Sequence, residues 1–124
     1  MKLTSLRPML ESRSLKTTIE FYTGTLGFTL EETLQDGEII SWCSLYRDEV
    51  SIMFCSPNTH MNYGSILLTG SIYINVEDVD TVWEELKDKC SVLYNLENFD
   101  HGMREFAIKD NNGYVLNFGE PFSK

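Results

Sequence analysis

Displaced by 64 residues, the second half of this chain falls on the first: Leu15 meets Val79, Ile19 meets Trp83, Ile52 meets Leu116, Phe54 meets Phe118 and Pro57 meets Pro121. One displacement serves a helical stretch and a terminal strand alike. "EVSIMFCSP" is therefore the counterpart of "GYVLNFGEP", and the chain is expected to be two copies of one unit. The shared order of elements and the shared closing proline carry this inference as much as residue identity does.

Local patterns define the unit. Leu15, Ile19, Tyr22 and Leu26 follow at spacings of four, three and four residues, and Val79, Trp83, Leu86 and Cys90 repeat them, so each set lines one face of a helix. Ser14 and Asp78 stand before them as N-caps, and Gly24 and Gly27 break the first helix near its end. Alternating segments near 39–46 and 50–55 read as strands joined by a turn at Arg47–Glu49. A second pair, near 103–109 and 114–119, flanks the turn signal Asp110-Asn111-Asn112-Gly113. Each half then reads strand, helix, strand, strand, strand. The expected organisation is one domain over 1–124, with a first module over about 1–57, a linker over about 58–69 and a second module over about 70–124.

Two such modules give an α+β fold, with curved mixed sheets forming a cleft and helices outside. Strand periodicity sends Ile72, Ile74 and Val76 toward a helix and Ser71, Tyr73 and Asn75 to the opposite face. The same parity turns Leu116 and Phe118 to the helix side, which leaves the amide of Asn117 facing the cleft.

Composition narrows the function classes. The length of 124 residues suits a single domain, and 42% apolar residues argue for a packed globule. A net charge of −9 disfavours a nucleic-acid surface and attracts cations at long range. Cys43, Cys55 and Cys90 are odd in number and form no CxxC pair, so they read as core thiols. No run of 18 apolar residues occurs, and Arg7 and Pro8 interrupt the place of a signal-peptide core, so a cytoplasmic location is expected.

The strings "SLKTTIEFYTGTLGF", "INVEDVDTVWEEL" and "IKDNNGYVLNF" resemble the vicinal oxygen chelate superfamily, which includes glyoxalases, extradiol dioxygenases, fosfomycin-resistance enzymes and bleomycin-resistance proteins. "HGMREFAIKDNNGY" and "LRPMLESRSL" resemble the bleomycin-resistance-like branch in particular. The resemblance spans nearly the whole chain. It implies paired βαβββ modules, commonly assembled as a homodimer whose cleft holds the ligand.

Members of that superfamily that use a metal generally take one ligand, mostly His or Glu, from the first and last strand of each module. Counted from the matched motifs, the first-strand positions here are Arg7 and Ser71 and the last-strand positions are Met53 and Asn117. Zn²⁺ or Fe²⁺ takes three or four His, Cys or carboxylate donors, which a guanidinium, a hydroxyl, a thioether and an amide do not supply. The expectation is no metal and no cofactor. His60 in the linker and His101 beside Asp100 read as solvated histidines, although a dimer could bring distant groups together.

The cleft residues then choose a ligand. By parity and position they are Arg7, Met53, Ser71, Tyr73, Glu105 and Asn117, with Trp42 and His101 beside them. Tyr73 and Trp42 could stack on a planar ligand while Glu105 pairs with its cation. Plainer readings stand next to these. Trp42 aligns with Phe106 and could be core, Glu105 could bridge to Arg104 or Arg7, Met53 and Tyr73 could fill the cleft floor, and Asn117 could satisfy a backbone group. The leading expectation is a metal-independent, dimeric protein that binds and sequesters a small molecule, as bleomycin-resistance proteins do. A glyoxalase-like lyase or isomerase, with a base or metal from elsewhere such as Glu105 or His101, is the alternative. An anionic ligand held by Arg7 and a structural or regulatory dimer are further readings.

Overall fold

The computed structural model describes residues 1–57 and 68–123, so His60 lies outside the described residues. The chain divides into two compact units, Met1–Ile66 and Leu67–Lys124. In the first, β1 (Met9–Glu11) precedes α1 (Leu15–Glu20), which runs into a π-helical turn at Phe21–Thr25 and is followed by β2 (Thr29–Asp36), β3 (Ile39–Arg47) and β4 (Val50–Cys55). The second repeats the order as β5 (Ile72–Asn75), α2 (Val79–Leu86), β6 (Ser91–Asn98), β7 (Met103–Lys109) and β8 (Val115–Pro121). The sheets run β1-β4-β3-β2 and β5-β8-β7-β6, with the first strand parallel to the last and the other pairings antiparallel. Each unit is therefore a βαβββ module with a mixed, open sheet. Among the described residues no helix is long and apolar enough to cross a membrane.

The repeat is held at the level of strand register. Met9, Leu10 and Glu11 pair with Met53, Phe54 and Cys55, and Tyr73, Ile74 and Asn75 pair with Asn117, Phe118 and Gly119. Adding 64 to each member of the first set gives the second. The third strand departs from this. Trp42 pairs with Cys55 whereas Glu105 pairs with Gly119, so Glu105, and not Phe106, is the structural counterpart of Trp42. The turn explains the slip. β3 and β4 are joined by Asp48 and Glu49 alone, while Asp110 and Tyr114 are bonded across the three residues Asn111, Asn112 and Gly113, with Gly113 at a φ of 90°. One extra turn residue moves the third strand by one position, and a one-residue move exchanges the faces of a strand.

Both expected N-caps form. Ser14 accepts from the Thr17 N–H at 3.3 Å and Asp78 from the Thr81 N–H at 3.4 Å. In the second unit Glu120 adds a tertiary cap, its carboxylate accepting from Val79 N–H at 2.9 Å and Asp78 N–H at 3.1 Å, which ties the start of α2 to β8. The helices are shorter than their apolar stripes. Leu26 N–H reaches back five residues to the Phe21 carbonyl at 3.2 Å, so the first helix ends as a π turn, and α2 stops at Leu86, leaving Cys90 in the following turn. Tyr22 and Leu26 stay buried and Tyr22 packs on Phe54 at 5.0 Å between ring centroids. In the second unit Phe106 is sandwiched by Trp83 at 5.1 Å and Phe118 at 5.2 Å, on the helix side of the sheet. Burying such a side chain stabilises by about 1.5–3 kcal/mol.

A buried carboxylate hub on the second sheet

With Phe106 committed to the helix side, its neighbour Glu105 is turned to the other face by strand alternation. There it is buried, 5% exposed, yet among the described residues no lysine or arginine pairs with it. Three donors converge on it: Tyr73 Oη donates to Oε1 at 3.0 Å, His101 Nε2 lies 2.6 Å from Oε1, and Tyr94 Oη donates to Oε2. Asn117 Nδ2 donates to Tyr94 Oη at 2.7 Å. Each strand of the sheet supplies a member: Tyr73 from β5, Asn117 from β8, Glu105 from β7 and Tyr94 from β6, with His101 on the loop before β7. Phe99 backs the group, packing edge-on against Tyr94 at 5.5 Å and stacking on His101 at 5.8 Å.

The network fixes its own hydrogens. Tyr94 has one proton and gives it to the acceptor-only carboxylate, so Asn117 must present its NH₂ to Tyr94. That turns Asn117 Oδ1 the other way, where it is buried with no hydrogen-bond partner among the described residues. Burial alone would push the Glu105 carboxyl up, but the hydrogen bonds from Tyr94, His101 and Tyr73 outweigh it and hold the carboxyl below its ordinary value of 4.5. Burial, followed by donation to the charged carboxylate, pushes both Tyr73 and Tyr94 up to about 12. Near neutral pH the hub is an ionised carboxylate ringed by protonated phenols.

Gly119 makes room for this arrangement. It pairs opposite Glu105, and a Cβ there would collide with Tyr73 Oη and lie 3.0 Å from Tyr73 Cζ and 3.1 Å from Glu105 Cβ. The Tyr73 side chain crosses over the bare glycine to reach the carboxylate.

The candidates from sequence divide accordingly. Tyr73, His101, Glu105 and Asn117 form one hydrogen-bonded group, whereas Ser71 lies just ahead of β5, exposed and outside the strand pairing. Glu105 does not bridge to Arg104. Arg104 points to the other face and binds Asp80 at 2.8 Å and 3.1 Å and Asn98 at 3.1 Å. In the first unit Arg7 donates to Ser51 at 3.1 Å and sits 3.9 Å from Glu31, ahead of the strand that pairs with Met53. The first-strand residues opposite Met53 and Asn117 are Met9 and Tyr73, two positions beyond Arg7 and Ser71. Trp42 is half-buried and lines a hollow of about 410 Å³ with Leu34, Ser41, Cys55 and Ser56, so it is not a core residue in the manner of Phe106. Sequence reasoning missed Tyr94, Phe99 and Gly119. Tyr94 and Phe99 lie on or beside an edge strand where Val92, Leu93 and Tyr94 run together as an unbroken apolar stretch although Leu93 is exposed, and Gly119 has no side chain to signal a role.

The sequence pattern of the Glyoxalase/Bleomycin resistance protein/Dioxygenase superfamily matches residues 7–118. The chain belongs to that superfamily. No curated protein matches the sequence. Among solved structures, TioX from Micromonospora sp. ML1 is similar with a TM-score of 0.78 at 16% identity, over 96% of this chain and 99% of TioX. TnmS3, an antibiotic binding protein from Streptomyces sp. CB03234, gives 0.77 at 20%, over 98% and 99% of the two chains. The bleomycin-binding protein of bleomycin-producing Streptomyces verticillus, solved with copper(II)-bleomycin, gives 0.69 at 21%, over 95% and 96%.

The metal that some superfamily members use does not suit the donors found here. By register the paired strand positions hold two thioethers in the first unit, Met9 and Met53, and in the second a phenol pushed up to about 12 and an amide, Tyr73 and Asn117. Glu105 and His101 add one carboxylate and one imidazole, already bonded to each other. Among the described residues the one group of three acidic side chains close enough for a cation is Asp78, Asp80 and Glu120. Its members are occupied in capping α2 and in pairing with Arg104. The cysteines offer no thiolate near neutral pH, since burial pushes Cys43 up to about 11 and raises Cys55 and Cys90.

Proposed function

We propose that this protein binds a small molecule without a metal and without transforming it, in the manner of the bleomycin-resistance branch. The observation that carries the reading is the protonation state of the hub. A general base or acid works best with a pKa near the working pH. Here the carboxyl is held low and both phenols stand at about 12, so these three groups sit on the unreactive side of neutrality. They suit recognition by charge and hydrogen bonding. The structural neighbours that bind antibiotics support the reading at the level of the fold. The ligand face pairs the Tyr73 and His101 rings with the carboxylate beneath, which favours a planar molecule bearing N–H donors or positive charge.

One observation favours an enzyme instead. His101 Nε2 lies 2.6 Å from Glu105, and a carboxylate-oriented imidazole is a competent general base. The test is a thermal-shift panel of planar cations, including bleomycin, planar neutral compounds and small acids, run with and without a chelator. A true ligand at a hundred times its Kd stabilises the native state by about 2.7 kcal/mol, and the shift should survive chelation. A stoichiometric metal whose removal abolishes binding or turnover overturns the proposal, as does consumption of the bound compound in step with the His101–Glu105 pair.

A further inference from the structure

A buried carboxylate that has no lysine or arginine partner among the described residues is under-compensated. Neutral phenols supply hydrogen bonds but no charge, and His101 balances Glu105 only when it is itself protonated. The same network holds a second acceptor, Asn117 Oδ1, which is buried and has no hydrogen-bond partner among the described residues. Glu105 pairs with Gly119 and Ala107 with Asn117, so Glu105 and Asn117 are diagonal neighbours on one face, close enough for one ligand to touch both side chains. What conceals the carboxylate is light. The His101 side chain is 57% exposed against 6% for Glu105, it rides on a turn next to Gly102 at a φ of 90°, and Tyr73 is 40% exposed. Both cover groups bond the same oxygen, Oε1. The net charge of −9 adds long-range attraction for a cation.

We propose that Glu105 is a concealed anchor for a planar cation, an amidinium or guanidinium, which docks by taking the place of the His101 imidazole on Oε1 and giving a second N–H to Asn117 Oδ1. The inference rests on the ligand-binding reading above and adds the chemical class of the group recognised. It also gives His101 a role opposed to catalysis: it is the occupant that the ligand expels.

The experiment is an NMR titration of the full isotopically labelled chain with three matched probes, benzamidine (cationic), benzamide (neutral) and benzoate (anionic). Benzamidine is expected to move the His101 imidazole and Asn117 side-chain amide signals and to bind about tenfold more tightly than benzamide, the preference expected of one charge-assisted bond, with benzoate inert. E105Q should bring the two affinities together. H101A should bind benzamidine several-fold more tightly than the parent, because the competitor is gone. Should E105Q not fold, H101A decides alone, since it alters an exposed side chain: tighter binding supports the exchange, and unchanged or weaker binding overturns it. Equal affinity for benzamidine and benzamide, or an unmoved His101 signal, also overturns it. If a neutral planar compound stabilises the protein in the thermal-shift panel while the amidinium shows no preference, the cation anchor is refuted and small-molecule binding stands. If nothing binds in either experiment, both fail.

Discussion

Gly119→Ala is a one-carbon test of the hub. The new Cβ would collide with Tyr73 Oη and press on Tyr73 Cζ at 3.0 Å and Glu105 Cβ at 3.1 Å, so Tyr73 has to swing away. Its hydrogen bond to an ionised carboxylate is then lost, a loss of about 1.5–3 kcal/mol when fully buried, and less here because the half-exposed phenol regains water. Against this, alanine loses less chain entropy on folding than glycine, which returns about 0.4–1 kcal/mol. The balance is a destabilisation of about 1 kcal/mol, or about 4 °C in Tm for a domain of this size. A second reading does not depend on that balance. Freed from Glu105, Tyr73 should fall from about 12 toward its ordinary value of 10 while Tyr94 stays at about 12. With tyrosine labelled at Cζ and the Tyr73 and Tyr94 signals assigned, NMR near pH 11 would show both of these phenols protonated in the parent and only Tyr94 of the two protonated in the variant, because an ordinary phenol is about nine-tenths ionised at about pH 11. If the variant keeps both protonated phenols, or gains stability by the entropic term alone, Tyr73 does not cross Gly119 and the geometry of the hub is wrong.

Tyr94→Phe should cost more than Tyr73→Phe, about 2–3 kcal/mol against about 1 kcal/mol in urea unfolding, because it removes a donor to Glu105 and also strands the buried Asn117 Nδ2; equal losses would contradict the relay. The carboxyl of Glu105 lies below its unfolded value, so its stabilisation is full above pH about 4.5 and is lost as the pH falls through the folded value. The parent should therefore lose stability on acidification below that point more steeply than E105Q, and parallel curves would refute the assignment. Glu120→Gln weakens the tertiary cap on α2, and Glu120→Ala removes it and should destabilise by about 1–2 kcal/mol with faster amide exchange at Asp78 and Val79; unchanged exchange would mean the cap is not formed in solution.

The two-module architecture, both helix N-caps, the hairpin turns and the face on which Asn117 stands are all legible in the order of residues. These follow from short-range rules: helical and strand periodicity, capping chemistry, and a displacement of 64 residues that the tertiary structure keeps in the pairing of Met9 with Met53 and of Tyr73 with Asn117. Local rules failed where the count changed by one. The extra residue in the Asn111–Gly113 turn set Glu105, and not Phe106, opposite the equivalent of Trp42's partner, and no alternation pattern reports a slip between two otherwise matched strands. Nor could sequence reasoning assemble the hub. Tyr73, Tyr94, Glu105 and Asn117 come from four strands and meet only when the sheet forms, so Glu105's partners are two phenols and an imidazole rather than Arg104, its neighbour in the chain. Periodicity places a side chain on a face. Which neighbours satisfy its charge there depends on the order and register of the strands, and those are set by the packing of the whole sheet.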